Sequence, residues 1–399
     1  MTASEAAVGT RGGPWPFGKL AVLAAALAMT VTTEMVPMGL LPLMSRDLDT
    51  SESTVGLLVT AYALVVAVTA IPLTRFTTTW ERRTLFLWIL AAFVLSNLLM
   101  ALAQEYWMAA TARLIGGVGH ALFFSVVGVF ASRLVSPDRV GRAVALVWAG
   151  SSISFTLGVP LGTALGASLG WRATFAVLAG LSLILLVVAA LLLPALPGSA
   201  RTEATSLRRM LRLPALRTVV AAIGLLMLGQ YILYTYVSPL LIRTGLSESA
   251  VGPVLFGYGA AGVLGMWVSG VLSDRRPRAA LLGGVGLLVL VIVGLMVVAD
   301  SAPATVVVVV FWGIAFGVMP GLFQAGALRA TPQSPDTGAA LYNVSFNIGI
   351  GGGALIGGQA MDAFGIDSLP PIALAVVLFG LVVVLRGRAG FPSRISTDL

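Results

Sequence analysis

The chain has no cysteine, a single histidine, a single lysine and few charges of any kind. Without cysteine there is no disulfide framework and no thiolate chemistry. One histidine, His120, leaves no ligand set for a structural zinc site or a zinc hydrolase. Lys19 stands alone against 23 arginines, which reads as compositional bias rather than chemistry. Charged residues make up 10% of 399 and hydrophobic ones 58%. A soluble domain would carry about 25% charged residues, so lipid must solvate most of this surface. An integral membrane enzyme needs His, Asp, Glu or Cys clustered near one membrane face, and the sequence offers no such cluster. Gly351-Gly-Gly has no lysine and lies in an apolar run, so it is not a phosphate loop. No cofactor or metal is expected.

What is present is a series of apolar runs. About 20 apolar residues cross the hydrocarbon core, and breaks at charges, Pro and Gly give twelve spans. They cover residues 19–44, 53–75, 84–103, 107–132, 140–166, 171–194, 215–242, 249–272, 279–299, 304–328, 337–361 and 368–386. The first run outlasts the roughly 7–15 residues of a signal-peptide core, so it is read as a span. The expected organisation is a polar arm (1–18), six spans (19–194), a central loop (195–213), six more spans (214–387) and a tail (388–399).

The net charge of +8 is distributed as topology, not as a nucleic-acid surface. With both termini in the cytoplasm, the inner loops hold Arg75, Arg82, Arg83, Arg133, Arg139, Arg142, Arg201, Arg208, Arg209, Arg212, Arg275, Arg276, Arg278 and Arg329. The opposite face holds only Arg46, Arg172 and Arg243, among many acids. Arginine excess marks the cytoplasmic side, so the expectation is a multi-pass protein of the cell (inner or plasma) membrane. Trp15, Trp80, Trp107 and Trp171 fall near span ends, where an interfacial belt is expected.

The halves repeat. Pro42-Leu-Met-Ser-Arg46, Ser51-Glu-Ser-Thr-Val-Gly56 and Tyr62 match Pro239-Leu-Leu-Ile-Arg243, Ser247-Glu-Ser-Ala-Val-Gly252 and Tyr258. Phe155-Thr-Leu-Gly158 matches Phe346-Asn-Ile-Gly349. Apolar composition alone does not align polar loop residues. Parallel six-span repeats with a cavity between them are the architecture of alternating-access transporters. The expected fold is all-α: two pseudo-symmetric six-helix bundles.

Four local patterns add a resemblance. They are Glu34-Met-Val-Pro-Met-Gly-Leu-Leu-Pro42, Arg113-Leu-Ile-Gly-Gly-Val-Gly119, Gly158-Val-Pro-Leu-Gly162 with Gly170-Trp-Arg172, and Gly270-Val-Leu-Ser-Asp274-Arg-Arg276. In this order the chain resembles the drug:proton antiporter branch of the major facilitator superfamily, nearest its sugar-efflux, purine-efflux and chloramphenicol-resistance exporters. The resemblance implies proton-coupled export, gating at Gly158, Pro160 and Gly162, and a loop latch at Asp274 and Arg275. The first-half copy of that loop departs from the pattern: Pro72-Leu-Thr-Arg-Phe76 lacks the Gly and the acid.

Glu34 is the one acid deep in a predicted span and Arg113 the one base. Such groups cost several kcal/mol in hydrocarbon and so face a cavity or a partner. Depth allows the two to pair, roughly 13 Å and 9 Å from the outer ends of their spans at 1.5 Å per residue. A rocking motion that alters burial or pairing makes protonation of Glu34 depend on which way the cavity faces. A static ion pair joining two helices is the competing reading. His120, two turns beyond Arg113, either relays protons or hydrogen-bonds substrate, or is a neutral imidazole satisfied by a nearby carbonyl.

Tyr231 and Tyr234, Gln324, and Asn343 and Asn347 are the candidate substrate contacts, the paired residues sharing helix faces. Aromatic walls with few charges suit a small amphipathic solute. Together these readings predict a monomeric secondary transporter exchanging a drug, sugar or metabolite for protons. A proton-coupled importer on the same fold is the alternative.

Overall fold

In a computed structural model the chain is described for residues 15–198, 213–273, 276–332, 335–387 and 390–391. Among them there are helices and no strand. Twelve helices are long and apolar enough to cross a membrane, numbered here as spans. Spans 1 to 6 are Phe17–Asp47, Glu52–Thr77, Arg82–Leu102, Tyr106–Arg133, Pro137–Leu169 and Trp171–Leu192. Spans 7 to 12 are Pro214–Tyr234, Glu248–Leu272, Pro277–Val297, Ala302–Ala330, Thr337–Phe364 and Ile366–Arg386. The membrane face opposite the termini is called distal below.

Local chemistry sets the ends. Ser51 caps span 2 by accepting the Thr54 amide at 3.1 Å. The Glu81 carboxylate caps span 3 through the Arg83 amide, also at 3.1 Å. Gly170 closes span 5 with φ of 86°, a left-handed value that favours glycine.

Two spans are interrupted. Span 5 opens into a wide π turn at Ser154–Gly158. Pro160 cannot donate to the carbonyl of Thr156, and the wide turn absorbs that loss. Span 7 stops at Tyr234, and a short helix, Val237–Arg243, continues it. The sequence reading runs straight through this break. Pro239 has no amide proton for the Thr235 carbonyl, so the chain turns at Thr235 and Tyr236 instead.

Six spans form each lobe, with span 1 buried along nearly its whole length. The lobes meet where span 2 packs on span 11 and span 5 on span 8. Their distal half is closed. Arg46 pairs with Glu248. Ser53 donates to Asp362 at 2.6 Å, and Thr60 to the Gly351 carbonyl at 3.0 Å. Tyr236 fills the space between Gly56 of one lobe and Gly358 of the other. Its hydroxyl donates to Ala354 O at 2.8 Å.

The distal arginines are all paired. Arg172 holds Asp47 at 2.7 Å and Arg243 holds Asp367 at 2.7 Å. Trp171 lies beneath this cover, 1% exposed, and donates to Asp47 at 3.1 Å. It is therefore a packed residue and not part of the belt the sequence suggests. Trp107, 63% exposed, does face outward.

Candidate functional site

The centre of the first lobe is built around a proline. Pro37 lacks the amide hydrogen that would bond the Thr33 carbonyl four residues back. Arg113 of span 4 supplies it. Its Nη1 donates to Thr33 O at 2.7 Å, its Nη2 to Glu34 O at 3.1 Å and its Nε to Leu58 O at 3.4 Å. The guanidinium also lies 4.0 Å over the Tyr62 ring, within range of a cation–π attraction.

Arg113 and Glu34 therefore lie together, but not as the side-chain ion pair the sequence suggests. The guanidinium is taken up by main-chain carbonyls. The Glu34 carboxylate faces His120 instead, with Oε2 3.7 Å from Nδ1. Its other oxygen, Oε1, is buried and has no hydrogen-bond partner. His120 sits 3.2 Å from the Tyr62 hydroxyl through the same Nδ1 and stacks on Phe124 at 4.7 Å. Glu34, Arg113 and His120 are 3%, 1% and 3% exposed. A buried carboxyl with one unmet oxygen, beside an imidazole, is a group whose charge state the surroundings can change.

The second lobe answers with neutral groups. Tyr231 and Tyr234 stand edge to face at 5.9 Å. Tyr234 also meets Tyr258 at 5.0 Å and Trp312 at 5.8 Å. Trp312 Nε1 donates to Gln230 Oε1 at 2.7 Å, and Gln230 Nε2 to the Tyr258 hydroxyl at 3.1 Å. The π turn of span 5 presents Phe155 to this cluster, 5.4 Å from Phe316. Asn347 donates to Asn343 Oδ1 at 2.9 Å and keeps its own Oδ1 unpartnered. Gln324 makes no hydrogen bond to these residues. It lies twelve residues past Trp312, about 18 Å along the helix.

Glycines at four-residue spacing let span 5 press on span 1. Any Cβ at Gly158, Gly162 or Gly166 would meet Thr32, Val36 or Leu40, themselves four residues apart. Close approach of this kind is what small residues provide in membranes. On its other side span 5 touches span 8, with the Phe155 carbonyl against Gly259 and the Pro160 carbonyl near Gly252. Gly158, Pro160 and Gly162 thus sit in a helix wedged between its own lobe and the other. Asp274 and Arg275 lie outside the described residues.

Sequence reasoning did not single out Tyr62, Gln230, Tyr258, Trp312, Phe155 or Phe316 as site residues. Tyr62 and Tyr258 carried a signal, since a polar ring recurs at the same place in both halves. Gln230 and Trp312 carried none.

Two lobes of six helices, a buried carboxyl in one and an aromatic, amide-lined cluster in the other define a secondary transporter rather than an enzyme. The Major Facilitator Superfamily model matches residues 23–354, and the chain belongs to that family. It is 30% identical over 388 residues to a "Probable sugar efflux transporter" of Pasteurella multocida (strain Pm70), covering 96% of both chains. Among solved structures it is similar to a bacterial homolog of the human lysosomal transporter Spinster in an inward-facing, unoccupied conformation. That match has a TM-score of 0.75 and 16% identity, over 97% of this chain and 100% of the other. The human organic anion transporter MFSD10 (TETRAN) matches with a TM-score of 0.70 and 19% identity, over 93% and 100%.

Proposed function

We propose that the chain exports a small amphipathic solute in exchange for protons by alternating access, with Glu34 as the proton carrier. The observation that carries this reading is the Glu34 carboxyl itself, buried at the centre of the first lobe with one oxygen unmet. Rocking of the lobes changes the surroundings of that carboxyl, so its proton affinity differs between the two states. That difference is the linkage exchange requires. Arg113 holds span 1 in place at Pro37, and His120 is the group that passes the proton. One proton moving through 100 mV and one pH unit releases about 3.7 kcal/mol. That sustains a solute gradient of roughly 500-fold.

The solute lies against Tyr231, Tyr234, Asn343 and Asn347, with Gln324 further toward the termini. A sugar is the first class to try, because a relative sharing 30% identity is named for sugar efflux. Neutral drugs and metabolites follow. The protein works as a monomer in the cell membrane, both termini in the cytoplasm, so that the distal face is the outer one.

The test begins with a thermal-shift screen of sugars and neutral drugs on the purified protein. Any hit is then followed in proteoliposomes under an imposed pH gradient. Glu34→Gln is expected to keep its melting temperature and lose proton-driven accumulation. Proton-driven accumulation at the wild-type level in that variant refutes the reading.

A further inference from the structure

We infer that Tyr62 is the positioning residue that tells the interface between the lobes whether Glu34 carries its proton. The inference rests on the reading of Glu34 given above. It starts from a geometric conflict at one atom. His120 Nδ1 lies 3.2 Å from the Tyr62 hydroxyl and 3.7 Å from Glu34 Oε2. A neutral imidazole has one donor nitrogen and one acceptor nitrogen. When Nδ1 is the acceptor, the Tyr62 O–H donates to it. When Glu34 is ionised, Nδ1–H is drawn to the carboxylate, and the Tyr62 O–H can no longer donate to that nitrogen and must point its proton elsewhere. The two arrangements exclude each other, so the hydroxyl follows the charge on Glu34.

Tyr62 is also placed to pass that change on. It is fully buried in span 2, the first-lobe helix packed on span 11. On one side of it in sequence, Thr60 donates to the Gly351 carbonyl at 3.0 Å. On the other, Ala63 lies so close to Gly351 that a Cβ there would stand 3.2 Å away. Val344 of span 11 packs against the cluster that Tyr62, Val66 and Ala121 form. A shift of the Tyr62 side chain thus acts on a helix turn clamped to the other lobe.

Among the described residues the surroundings contain nothing else charged. Span 1 brings Glu34, and span 4 brings Arg113 over the ring and His120 at the hydroxyl. Span 3 reaches this region with Ser96, which touches the space at Gly116 beside the Tyr62 ring. Span 11 brings Val344. The repeat supports a positioning role independently. Tyr258, the counterpart of Tyr62, again lies by the large side chain of the facing span, Trp312, 5.7 Å away. Its hydroxyl is held by Gln230, where no proton is at stake.

The test needs no solute. The chain has no cysteine, so Gln104→Cys and Asp300→Cys, in distal loops of the two lobes, accept spin labels without background. The distance between them is measured in lipid nanodiscs from pH 5 to 9. In parallel, dicyclohexylcarbodiimide, which adds to protonated carboxyls in apolar surroundings, reports by mass spectrometry whether Glu34 is protonated. The labelled wild type is expected to shift its distance distribution across the pH at which carbodiimide labelling of Glu34 disappears. Tyr62→Phe keeps the ring beneath Arg113 and removes the hydroxyl. It is expected to label normally at Glu34 while its distance response falls at least fivefold. Tyr62→Trp, too large for the site, separates loss of the hydroxyl from loss of folding by its lowered melting temperature.

A Tyr62→Phe protein whose distances respond like wild type overturns the inference, as does one in which labelling of Glu34 itself is lost. If Glu34→Gln also keeps the wild-type distance response, the proton-carrier reading fails as well. If Glu34→Gln freezes the response while Tyr62→Phe does not, only the role of Tyr62 is refuted.

Discussion

Gly56 and Gly357 meet the same tyrosine from opposite sides, and that makes an alanine at each a test of lobe closure. Gly56 belongs to span 2 of the first lobe, Gly357 to span 11 of the second, and Tyr236 to the second. A Cβ at Gly56 would stand 2.9 Å from Tyr236 Cζ, with the hydroxyl closer still. A Cβ at Gly357 would stand 2.7 Å from Tyr236 Cε2 and 2.9 Å from the Ile232 carbonyl. Comfortable carbon contacts begin near 3.5 Å, so each overlap is about 0.6 Å or more. Tyr236 cannot swing aside, because it is fully buried and bonded to Ala354.

Overpacking of this kind costs roughly 1–3 kcal/mol. The difference lies in which equilibrium bears it. The Gly56 overlap exists only while the distal halves are together, and opening relieves it. Gly56→Ala is therefore expected to shift the ratio of distally open to closed protein by about 5- to 150-fold, with little change in melting temperature. The Gly357 overlap lies inside one lobe and persists in both states. Gly357→Ala is expected to lower the melting temperature and leave the open-to-closed ratio unchanged. Spin-label distances between residues 104 and 300, together with thermal unfolding, separate the two. The reasoning fails if Gly56→Ala destabilises folding as much as Gly357→Ala does, or if its distances stay those of the closed state.

Two further expectations follow from particular contacts. Burial raises the proton affinity of Glu81, but bonds from the Thr84 hydroxyl and from the amides of Arg83, Leu196 and Thr84 outweigh it and hold the carboxyl below its ordinary 4.5. A carboxyl whose value drops on folding stabilises the folded state above the ordinary value and loses that contribution as pH falls through the folded one. Glu81→Ala should thus cost about 1 kcal/mol at pH 7, as loss of a helix cap does. As pH falls below the ordinary 4.5, its melting temperature should draw progressively closer to that of the wild type; a gap that does not narrow with acidification refutes the assignment. The second concerns Arg113, which answers the carbonyl that Pro37 leaves free. Arg113→Lys loses the planar fork and should lower the melting temperature. Pro37→Ala restores a helical donor to Thr33, so in that background the same lysine should cost less, by about 1–2 kcal/mol in a double-mutant cycle. Additive effects would show that the arginine and the proline are not complementary.

The architecture is legible in the sequence because the hydrocarbon core imposes a length and arginine a side. The twelve spans follow from the first of these, as does the isolation of Glu34, Arg113 and His120 as deep ionisable groups, and the repeat follows from polar loop residues matched between the halves. What the sequence hides is tertiary. Proline alone does not decide whether a span breaks: Pro37 lies within an unbroken helix while Pro239 follows a break. At Pro37 the orphaned Thr33 carbonyl is met by Arg113 arriving from span 4, and no residue count reveals that arrival. The wiring of Gln230, Tyr258 and Trp312 is hidden for another reason. Uncharged residues in an apolar run have no periodic or charge signal to set them apart, and only the hydrogen bonds show that they form a unit. Trp171 misled because aromatic position near a span end marks the interface only where nothing covers it. Here Arg172 lies over its ring at 4.4 Å.

Set side by side, the repeats show one scaffold carrying two chemistries. Thr33 and Gln230 are equivalent positions, as are Glu34 and Tyr231, and Tyr62 and Tyr258. In the first lobe Arg113 bonds the Thr33 carbonyl and covers Tyr62. In the second, Trp312 bonds the Gln230 side chain and lies against Tyr258. The indole thus stands where the guanidinium stands, and a phenol where the carboxylate stands. A charged group buried in one lobe must be partnered or neutralised, which under the proposed exchange ties that lobe to proton traffic. The neutral replica has no such obligation and is free to present rings and amides to a solute. The exchange proposed above would then require only that the seam between them, from Arg46 and Glu248 inward to Thr60 and Gly351, report the state of the first lobe to the second. The same seam that closes the distal face is the one that Tyr62 adjoins, so the proposed gating and coupling would run through the same few helix turns.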